Sequence, residues 1–278
     1  MTMPFVLCAD DYGLSPGVSR AILDLVARGR LSATGSMTVS PFWPEHAAWL
    51  RPHADGIDAG LHLTLTDQRA LGPMPRLAPN GRLPPLPRLM ALALGRRLDQ
   101  AEIGAEIDRQ LAAFEAALGR PPAFVDGHQH VHQLPGIREA LIERLAGTGI
   151  YLRICAEPTA RILRRGVAIS KALLISRLGW GLRRRALRGG LPHNHGFSGI
   201  YDLSGREPFG PLMERFVTAL PRGGLVMCHP GFPDAELAEV DPVTTPRRAE
   251  YDYLAGDGFA ELLARHRLRP ARLADCLS

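Results

Sequence analysis

The sequence of 278 residues lacks the features that mark secreted, membrane-spanning or disordered chains. Its four cysteines form no CxxC pair, and three of them end short apolar runs, where cysteine usually acts as a small buried hydrophobe. No stretch reaches the roughly 18 uncharged apolar residues of a spanning helix. A strand pattern starts within a few residues of the first methionine, so we expect no signal peptide. With 46% apolar and 22% charged residues, the composition predicts a large folded core in a reduced, cytoplasmic setting.

Acidic residues are missing from one long segment. Between Pro158 and Tyr201 there is no Asp or Glu, whereas nine Lys or Arg lie from Arg161 to Arg188. The rest of the chain has 24 basic and 28 acidic residues, so this segment explains the net charge of +5. Its mixture of cations with Leu, Ile and Trp180 is typical of a segment lying on an anionic membrane surface. The competing interpretation is two short helices that pack their apolar side and solvate their basic side.

Strand and helix patterns alternate along the chain, which predicts a parallel sheet. We expect a single domain over residues 1–278, with no internal repeat and with the basic segment as an insertion at about 158–195. Within that insertion, Gly166, Gly179 and Gly181 are expected to break one long helix into pieces. The predicted strands are 5–8, 35–39, 57–65, 123–126, 150–155, 224–228 and a further run at 197–201, and the predicted helices are 15–28, 99–118, 135–146, 208–220 and 245–266. Residues 66–88, rich in Pro and Gly, are predicted to form a long surface loop.

Polar side chains recur where these strands end, which favours a closed β/α barrel over an open sheet. In such barrels, functional residues lie at the C-terminal ends of several strands. Asp10 and Asp11 follow the first strand, and His62, His128 and His229 end three later apolar runs. We interpret His46, His53 and His266 as surface residues.

Asp and His in this arrangement are typical of a divalent metal site that activates water. Two adjacent carboxylates are costly unless a cation or a shared proton relieves them. Neighbouring residues of a strand point to opposite sides, so one carboxylate can bind the metal while the other faces the attacking water. One carboxylate and two imidazoles suit Zn²⁺, whereas Mg²⁺ prefers oxygen ligands.

The run His128-Gln-His130-Val-His132 leaves a choice open. An extended backbone would place its three imidazoles on one side, whereas a turn would bring the first and the last together. Either His130 or His132 could assist the metal. His229 is followed by Pro-Gly and is a candidate for the acid that protonates the leaving group. Arg153 ends another strand, where it could pair with Asp10 and keep it ionised, or lie on the surface.

Five motifs, ADDYGLSPGVSRAI, GLHLTLT, DGHQHVH, LRI and CHPGF, resemble in order the motifs of the YdjC/ChbG family of carbohydrate deacetylases. The resemblance implies a barrel-like fold similar to that of polysaccharide deacetylases, and removal of acetyl groups from N-acetylated sugars with one divalent metal ion, Zn²⁺ or Mg²⁺. It implies Asp11, His62 and His128 as metal ligands, Asp10 as general base, and a homodimer. Family members usually have DSHHHVH where this chain has Gly127 and Gln129, and Phe where it has Tyr12.

The basic segment leads into Asn194 and Phe197, which could line the same mouth as the metal site. With His132 and Arg153, these two residues are candidates for orienting the substrate. Such an insertion could hold an apolar group attached to the sugar, and the pattern is similar to the hopanoid-biosynthesis-associated branch of the family. That branch implies N-acetylglucosamine on a hopanoid-type lipid, with peripheral contact at the inner membrane face.

Other functions remain in competition at this point. A soluble chito-oligosaccharide is the alternative substrate. A hydrolase of another amide, or a phosphoesterase, could use a similar barrel, although the chain has no Gly-rich loop to cradle phosphate. A membrane-surface or nucleic-acid binder acting through residues 161–188 would be no enzyme and would leave the strand-end motifs unexplained. We therefore expect an N-acetylated sugar or glycolipid as partner, and no nucleic acid.

Overall fold

The computed structural model describes residues 2–277 of the protein. Within these residues, a single sheet of parallel strands forms the apolar centre of the molecule. The sheet order is β5-β4-β3-β2-β1-β7-β6, and β8 pairs with the first residues of β1. Every strand pair is parallel. The strands are β1 Met3–Tyr12, β2 Ala33–Ser36, β3 Asp58–Leu63, β4 Phe124–Gly127, β5 Tyr151–Leu152, β6 Gly196–Ser198, β7 Gly224–Cys228 and β8 Leu268–Pro270.

The two edges of this sheet meet through the residues that precede β6. The amide of Leu152 in β5 donates to the carbonyl of Pro192 over 2.9 Å, and Leu152 forms a parallel bridge with His193. The Asn194 side chain accepts from the Ile154 amide at 2.7 Å and donates to the Ile154 carbonyl at 3.0 Å. The sheet is thereby curled into an irregular β/α barrel, which confirms the predicted fold class.

Within residues 2–277, twelve α-helices surround the sheet. Local signals set several of their ends: Ser15 caps α1 through a hydrogen bond from the Val18 amide, and Gly119 ends α4 in the left-handed conformation. The helices are α1 Pro16–Ala27, α2 Trp43–Leu50, α3 Leu86–Leu94, α4 Gln100–Leu118, α5 Ile137–Leu145, α6 Thr159–Arg165, α7 Ile169–Arg188, α8 Phe209–Val217, α9 Ala235–Val240, α10 Thr245–Ala255, α11 Asp257–His266 and α12 Leu273–Leu277.

The basic segment differs from its prediction. Gly166 does end α6 in the left-handed conformation, but α7 continues unbroken through Gly179 and Gly181. A Cβ atom on Gly179 would lie 2.5 Å from the Ala156 amide nitrogen. This glycine therefore lets the helix approach the chain after β5, and that packing compensates for its low helix propensity. Within residues 2–277, no helix is both long and apolar enough to cross a bilayer.

Three other expectations are corrected by the structure. Residues 245–266 form two helices, because the backbone at Gly256 is extended. The predicted loop at 66–88 ends in helix α3, which begins at Leu86. His46 is buried rather than at the surface: its Nδ1 lies 2.9 Å from Ser19 Oγ, and its ring stacks on Trp49.

Candidate metal and active site

The two adjacent carboxylates lie at the end of β1, where the strand loses its regular register. Pairing with β2 shifts between Ala9 and Tyr12, and Asp11 has a φ of 68°, which is uncommon for a residue with a side chain. Asp10 and Asp11 are only 2% and 1% exposed. The irregular strand end turns both carboxylates toward the mouth of the barrel, where each meets a different set of partners.

Asp11 lies beside two imidazoles that come from different strands. Its Oδ1 is 3.0 Å from His128 Nδ1 and 3.4 Å from His62 Nε2. One ligand atom from each of these three residues falls within 4.8 Å of the other two. The structure thus brings together the three residues expected to bind metal, although they are separated by up to 117 positions in the chain.

Asp126 sets the orientation of the His62 ring. Its Oδ1 lies 2.6 Å from His62 Nδ1, so an Nδ1 proton donated to Asp126 leaves the Nε2 lone pair facing Asp11. A histidine held in this way by a carboxylate is the usual arrangement of a metal-binding imidazole. The donor set therefore fits one divalent metal ion held by Asp11, His62 and His128.

A glycine on the neighbouring strand makes room for this pair. A Cβ atom on Gly35 would lie 3.0 Å from His62 Nδ1 and 3.3 Å from Asp126 Oδ1. Contacts that short force the neighbouring side chains to move, so the absence of a side chain on β2 helps to define the imidazole position.

Asp10 is held by a buried arginine. Arg153 Nη1 and Nη2 donate to the two carboxylate oxygens at 2.6 and 2.9 Å, which is one of the two alternatives that the sequence left open for this residue. Arg153 Nη1 also lies 2.8 Å from Asp126 Oδ2. Burial is the largest single influence and opposes ionisation of Asp10, but Arg153, His62 and His229 together outweigh it and hold the pKa of Asp10 well below its usual range. Asp10 is therefore a carboxylate at neutral pH.

The charge balance of the centre favours a cation. Asp10, Asp11 and Asp126 are three buried carboxylates, and two buried guanidiniums, from Arg153 and Arg247, contact them. Burial by itself lowers the pKa of His62, but Asp126 and Asp10 outweigh burial and raise this pKa to about 10. Without a metal, the proton on His62 compensates the excess negative charge, and a bound divalent ion would take over that role.

His229 ends β7 on the other side of Asp10. Its Nε2 lies 3.9 Å from Asp10 Oδ2, and its backbone amide donates to Glu250 Oε2 at 2.6 Å. Burial lowers the pKa of His229 to about 4, so the imidazole is neutral at neutral pH. Its Nδ1 has no hydrogen-bond partner among residues 2–277.

None of the four residues predicted to orient the substrate lines the cavity, and Arg153 among them is fully buried against Asp10. His132 is buried, and its Nε2 lies 2.9 Å from the carbonyl oxygen of Arg153. The Asn194 side chain bonds to the main chain of Ile154 where the two edges of the sheet meet, as described above. The buried Phe197 ring lies 5.8 Å from the guanidinium carbon of Arg153. The expectation that Asn194 and Phe197 line the mouth is wrong, because Asn194 bonds to the main chain of Ile154 and Phe197 lies against Arg153. Of His130 and His132, the two candidates to assist the metal, His130 is the one that lines the cavity.

Three further residues contact the centre without having been assigned a role from the sequence. Asp126 could have been identified from the sequence, because it lies in β4 within the same motif as His128. Arg247 Nη2 donates to Asp11 Oδ2 at 2.7 Å, and Glu250 binds the turn at His229. Both come from α10, whose local sequence resembles any solvated helix, so no local pattern identifies them.

A cavity of about 640 Å³ opens onto these residues. Asp10, Asp11, His62, His128 and His229 all line it. Helix α7 supplies one wall through Lys171, Leu174, Ile175 and Leu178, which share one helix face, and further apolar residues come from Leu86, Met90, Leu203, Val240, Pro242 and Val243. The polar centre therefore lies at the base of a largely apolar, substrate-sized cleft.

The chain is similar in sequence and in fold to known proteins. The family model of YdjC-like proteins matches residues 4–265. A chitooligosaccharide deacetylase of Serratia marcescens is 31% identical over 264 residues, covering 93% of each chain. The corresponding enzyme of Enterobacter sp. (strain 638) is also 31% identical, covering 87% of this chain and 90% of its own. In fold, the chain is similar to a proposed cellobiose-phosphate cleavage protein of Enterococcus faecalis V583, with a TM-score of 0.75 at 19% identity over 99% of both chains.

Proposed function

Because the chain belongs to the YdjC-like protein family, we propose that it is a carbohydrate deacetylase that uses one divalent metal ion to hydrolyse the acetamide of an N-acetylated sugar. The observation that carries this proposal is the cluster of Asp11, His62 and His128 beside an ionised Asp10, at the base of a substrate-sized cleft. We take residues 1–278 as a single deacetylase domain. The homodimer and the cytoplasmic location stay predictions.

The proposed roles follow from the chemistry of each group. Asp11, His62 and His128 would hold a divalent ion, which would lower the pKa of water and stabilise a developing oxyanion. Asp10, kept ionised by Arg153, accepts the proton of the attacking water. His229 is neutral at rest, so it must first receive the proton that it donates. We propose that the Asp10 carboxyl and the His229 imidazole, 3.9 Å apart at rest, approach to hydrogen-bond distance for the proton to pass, and that His229 then delivers it to the amine nitrogen as the C–N bond breaks.

Metal content and acetate release test this proposal together. We expect the purified protein to lose activity with a chelator and to regain it with Zn²⁺ or Mg²⁺, of which the two imidazole ligands favour Zn²⁺. Asp11→Ala, His62→Ala and His128→Ala should each lose bound metal and activity. His195→Ala, at an exposed histidine, is the matched control and should change neither. Full metal occupancy in all three site variants would contradict the metal assignment.

We further propose that the sugar is attached to an apolar group, such as the hopanoid-type lipid that the sequence resemblance implies. The support is the apolar cleft wall, above all the α7 residues Leu174 and Leu178, because a free sugar offers little apolar surface to cover them. The second candidate is a soluble chito-oligosaccharide, which the names of the curated relatives favour.

Matched substrates separate the two candidates. Rates on N-acetylglucosamine in free, oligomeric and lipid-linked form are compared, and we expect the lipid-linked form to react fastest. Leu174→Asp should reduce this rate selectively, because Leu174 lines the cleft and is 52% exposed. Leu94→Asp, at a position of α3 that is 58% exposed and does not line the cleft, is the control. Equal rates on free and lipid-linked sugar would favour the soluble substrate.

The outer face of α6 and α7 supports a peripheral contact with an anionic membrane surface. Leu163, Leu174, Trp180 and Leu187 are exposed there among the cations of residues 161–188. Apolar side chains surrounded by cations are the pattern of a segment that lies in a lipid headgroup region. We expect the protein to sediment with vesicles that contain anionic lipid and to stay in solution with neutral vesicles. Equal sedimentation with both would contradict this contact.

A further inference from the structure

One turn of helix α10 contacts both sides of the proposed reaction centre. Arg247 and Glu250 are three residues apart and both are buried. Residues at positions i and i+3 lie on one helix face, so the two side chains enter the barrel mouth from the same side. Arg247 reaches the proposed metal ligand Asp11, and Glu250 reaches the turn that carries His229.

Arg247 occupies one of the two oxygens of Asp11. Its Nη2 donates to Oδ2 at 2.7 Å, whereas Oδ1 is the oxygen that faces His62 and His128. The guanidinium is itself held in place, since it also donates to Asp241 Oδ2 at 2.5 Å and to the carbonyl of Val243 at 2.9 Å. Asp11 is thereby left with one oxygen free to bind a metal.

Charge alone does not account for an arginine at this position. A buried cation beside a metal site repels the metal by Coulomb's law, so Arg247 weakens metal binding electrostatically. Its contribution must therefore be geometric, because the planar guanidinium forms hydrogen bonds with Asp11, Asp241 and the main chain at the same time.

Glu250 performs the corresponding task on the other side. Its Oε2 accepts from the His229 amide at 2.6 Å, and its Oε1 accepts from the Tyr201 hydroxyl. Tyr201 and His229 both line the cleft. Glu250 therefore fixes the turn after β7, and with it the position of the His229 imidazole next to Asp10.

We propose that α10 is the positioning element of the reaction centre: Arg247 restricts Asp11 to metal binding through Oδ1, and Glu250 sets the place of His229 relative to Asp10. This inference rests on the proposed function, because it takes Asp11 as a metal ligand and His229 as the acid. Arg247 and Glu250 are positioning residues, since they act through Asp11 and His229.

Arg247→Lys tests the first half, because it keeps the positive charge and removes the fork. We expect metal affinity, measured by competition with a chelating dye, to fall about 10- to 100-fold, the usual effect of losing an outer partner of a metal ligand. In the cobalt-substituted protein, the visible absorption should weaken, because a freed Asp11 can bind through both oxygens and raise the coordination number. Arg248→Lys, one residue further along α10 and exposed, is the control and should match the wild type in both measurements.

Glu250→Met tests the second half. Methionine keeps the length of the side chain but has no oxygen to accept from the His229 amide or the Tyr201 hydroxyl. We expect kcat to fall at least tenfold, with KM and metal affinity within twofold of the wild type. If the variant loses metal affinity instead of kcat, the proposed role of Glu250 is overturned.

The outcomes separate this inference from the proposed function. If Asp11→Ala keeps its metal, the proposed function fails. If Asp11→Ala loses metal while Arg247→Lys keeps the wild-type affinity and cobalt spectrum, the role of Arg247 fails and the proposed function stands. If Arg247→Lys does not fold, Asp241→Asn replaces it as the test, because it removes a second anchor of the same guanidinium at the cleft rim. It should shift the cobalt spectrum in the same direction, and an unchanged spectrum would overturn the proposal.

Discussion

The buried pair of Arg153 and Asp10 gives a quantitative test of the centre in the metal-free protein. Arg153→Met leaves the carboxylates of Asp10 and Asp126 buried without their guanidinium. Breaking a fully buried ion pair costs about 3–5 kcal/mol of unfolding free energy. At roughly 2–4 °C per kcal/mol for chains of this size class, the melting temperature should fall by about 6–20 °C. Thermal unfolding in the presence of a chelator measures this directly.

The second arm of this prediction is a double-mutant cycle. Asp10→Asn alone should cost less, because Arg153 keeps Asp126 as a partner. The double variant should therefore be more stable than the sum of the single losses predicts, by about 1–3 kcal/mol. The control is the Arg144 and Asp108 pair, which has the same two-fold geometry, at 2.6 and 3.0 Å, but is partly exposed. Its coupling should stay below about 1 kcal/mol.

The difference in stability between the wild type and Arg153→Met should change with pH in a defined direction. The pKa of Asp10 is held below its unfolded value, so the pair contributes stability that is present above about pH 4 and is lost as the pH falls further. In Arg153→Met the unpaired carboxylate takes up a proton readily. The melting temperatures of wild type and variant should therefore converge on acidification. A coupling below about 0.5 kcal/mol at pH 7, or a gap that widens in acid, would refute the reasoning.

Three further predictions concern neighbouring groups. Asp126→Asn should weaken metal binding about 10- to 100-fold by releasing the His62 ring, and a chelator competition within twofold of wild type would contradict this. Gly35→Ala should also weaken metal binding, because its Cβ atom would lie 3.0 Å from His62 Nδ1; an unchanged affinity would show that the ring moves freely. Burial lowers the pKa of His229 in the folded protein to about 4, below the value of about 6.5 in the unfolded chain. As the pH falls from about 6.5 to 4, the unfolded chain therefore takes up this proton before the folded protein does, and the folded state loses stability. Metal-free wild type should therefore lose more stability than His229→Gln across that interval, and equal losses in thermal unfolding would exclude the effect.

The sequence identifies the residues of the centre that lie at strand ends. Asp10, Asp11, His62, His128 and His229 each follow a short apolar run, and parallel strands bring their C-terminal ends to the same rim. The local pattern and the topology are together sufficient to place them near one another. Their contacts with one another depend on details such as the irregular end of β1, which no periodicity predicts.

Residues that act from outside the strands could not be found in this way. Arg247 contacts Asp11 across 236 positions of sequence, and its neighbours on α10 are mostly solvated. Asn194 and Phe197 show the opposite error, since their closeness in sequence to the basic segment suggested the cleft, whereas Asn194 bonds to the main chain of Ile154 and Phe197 lies against Arg153. In both cases, long-range packing determines where the residue lies, and the local sequence composition gives no indication of it.

The basic segment shows why composition alone left its role undecided. Helix α7 buries one stripe, including Ile175, Gly179 and Leu182, against the barrel, which is what a solvated barrel helix would do. Its outer face exposes Trp180 among cations, which is what a membrane-surface helix would do. Leu174 is both exposed and part of the cleft wall, so these two surfaces meet. The two interpretations of the sequence therefore describe different faces of one helix, and a lipid-linked sugar is the kind of substrate that would contact its outer face and the cleft together.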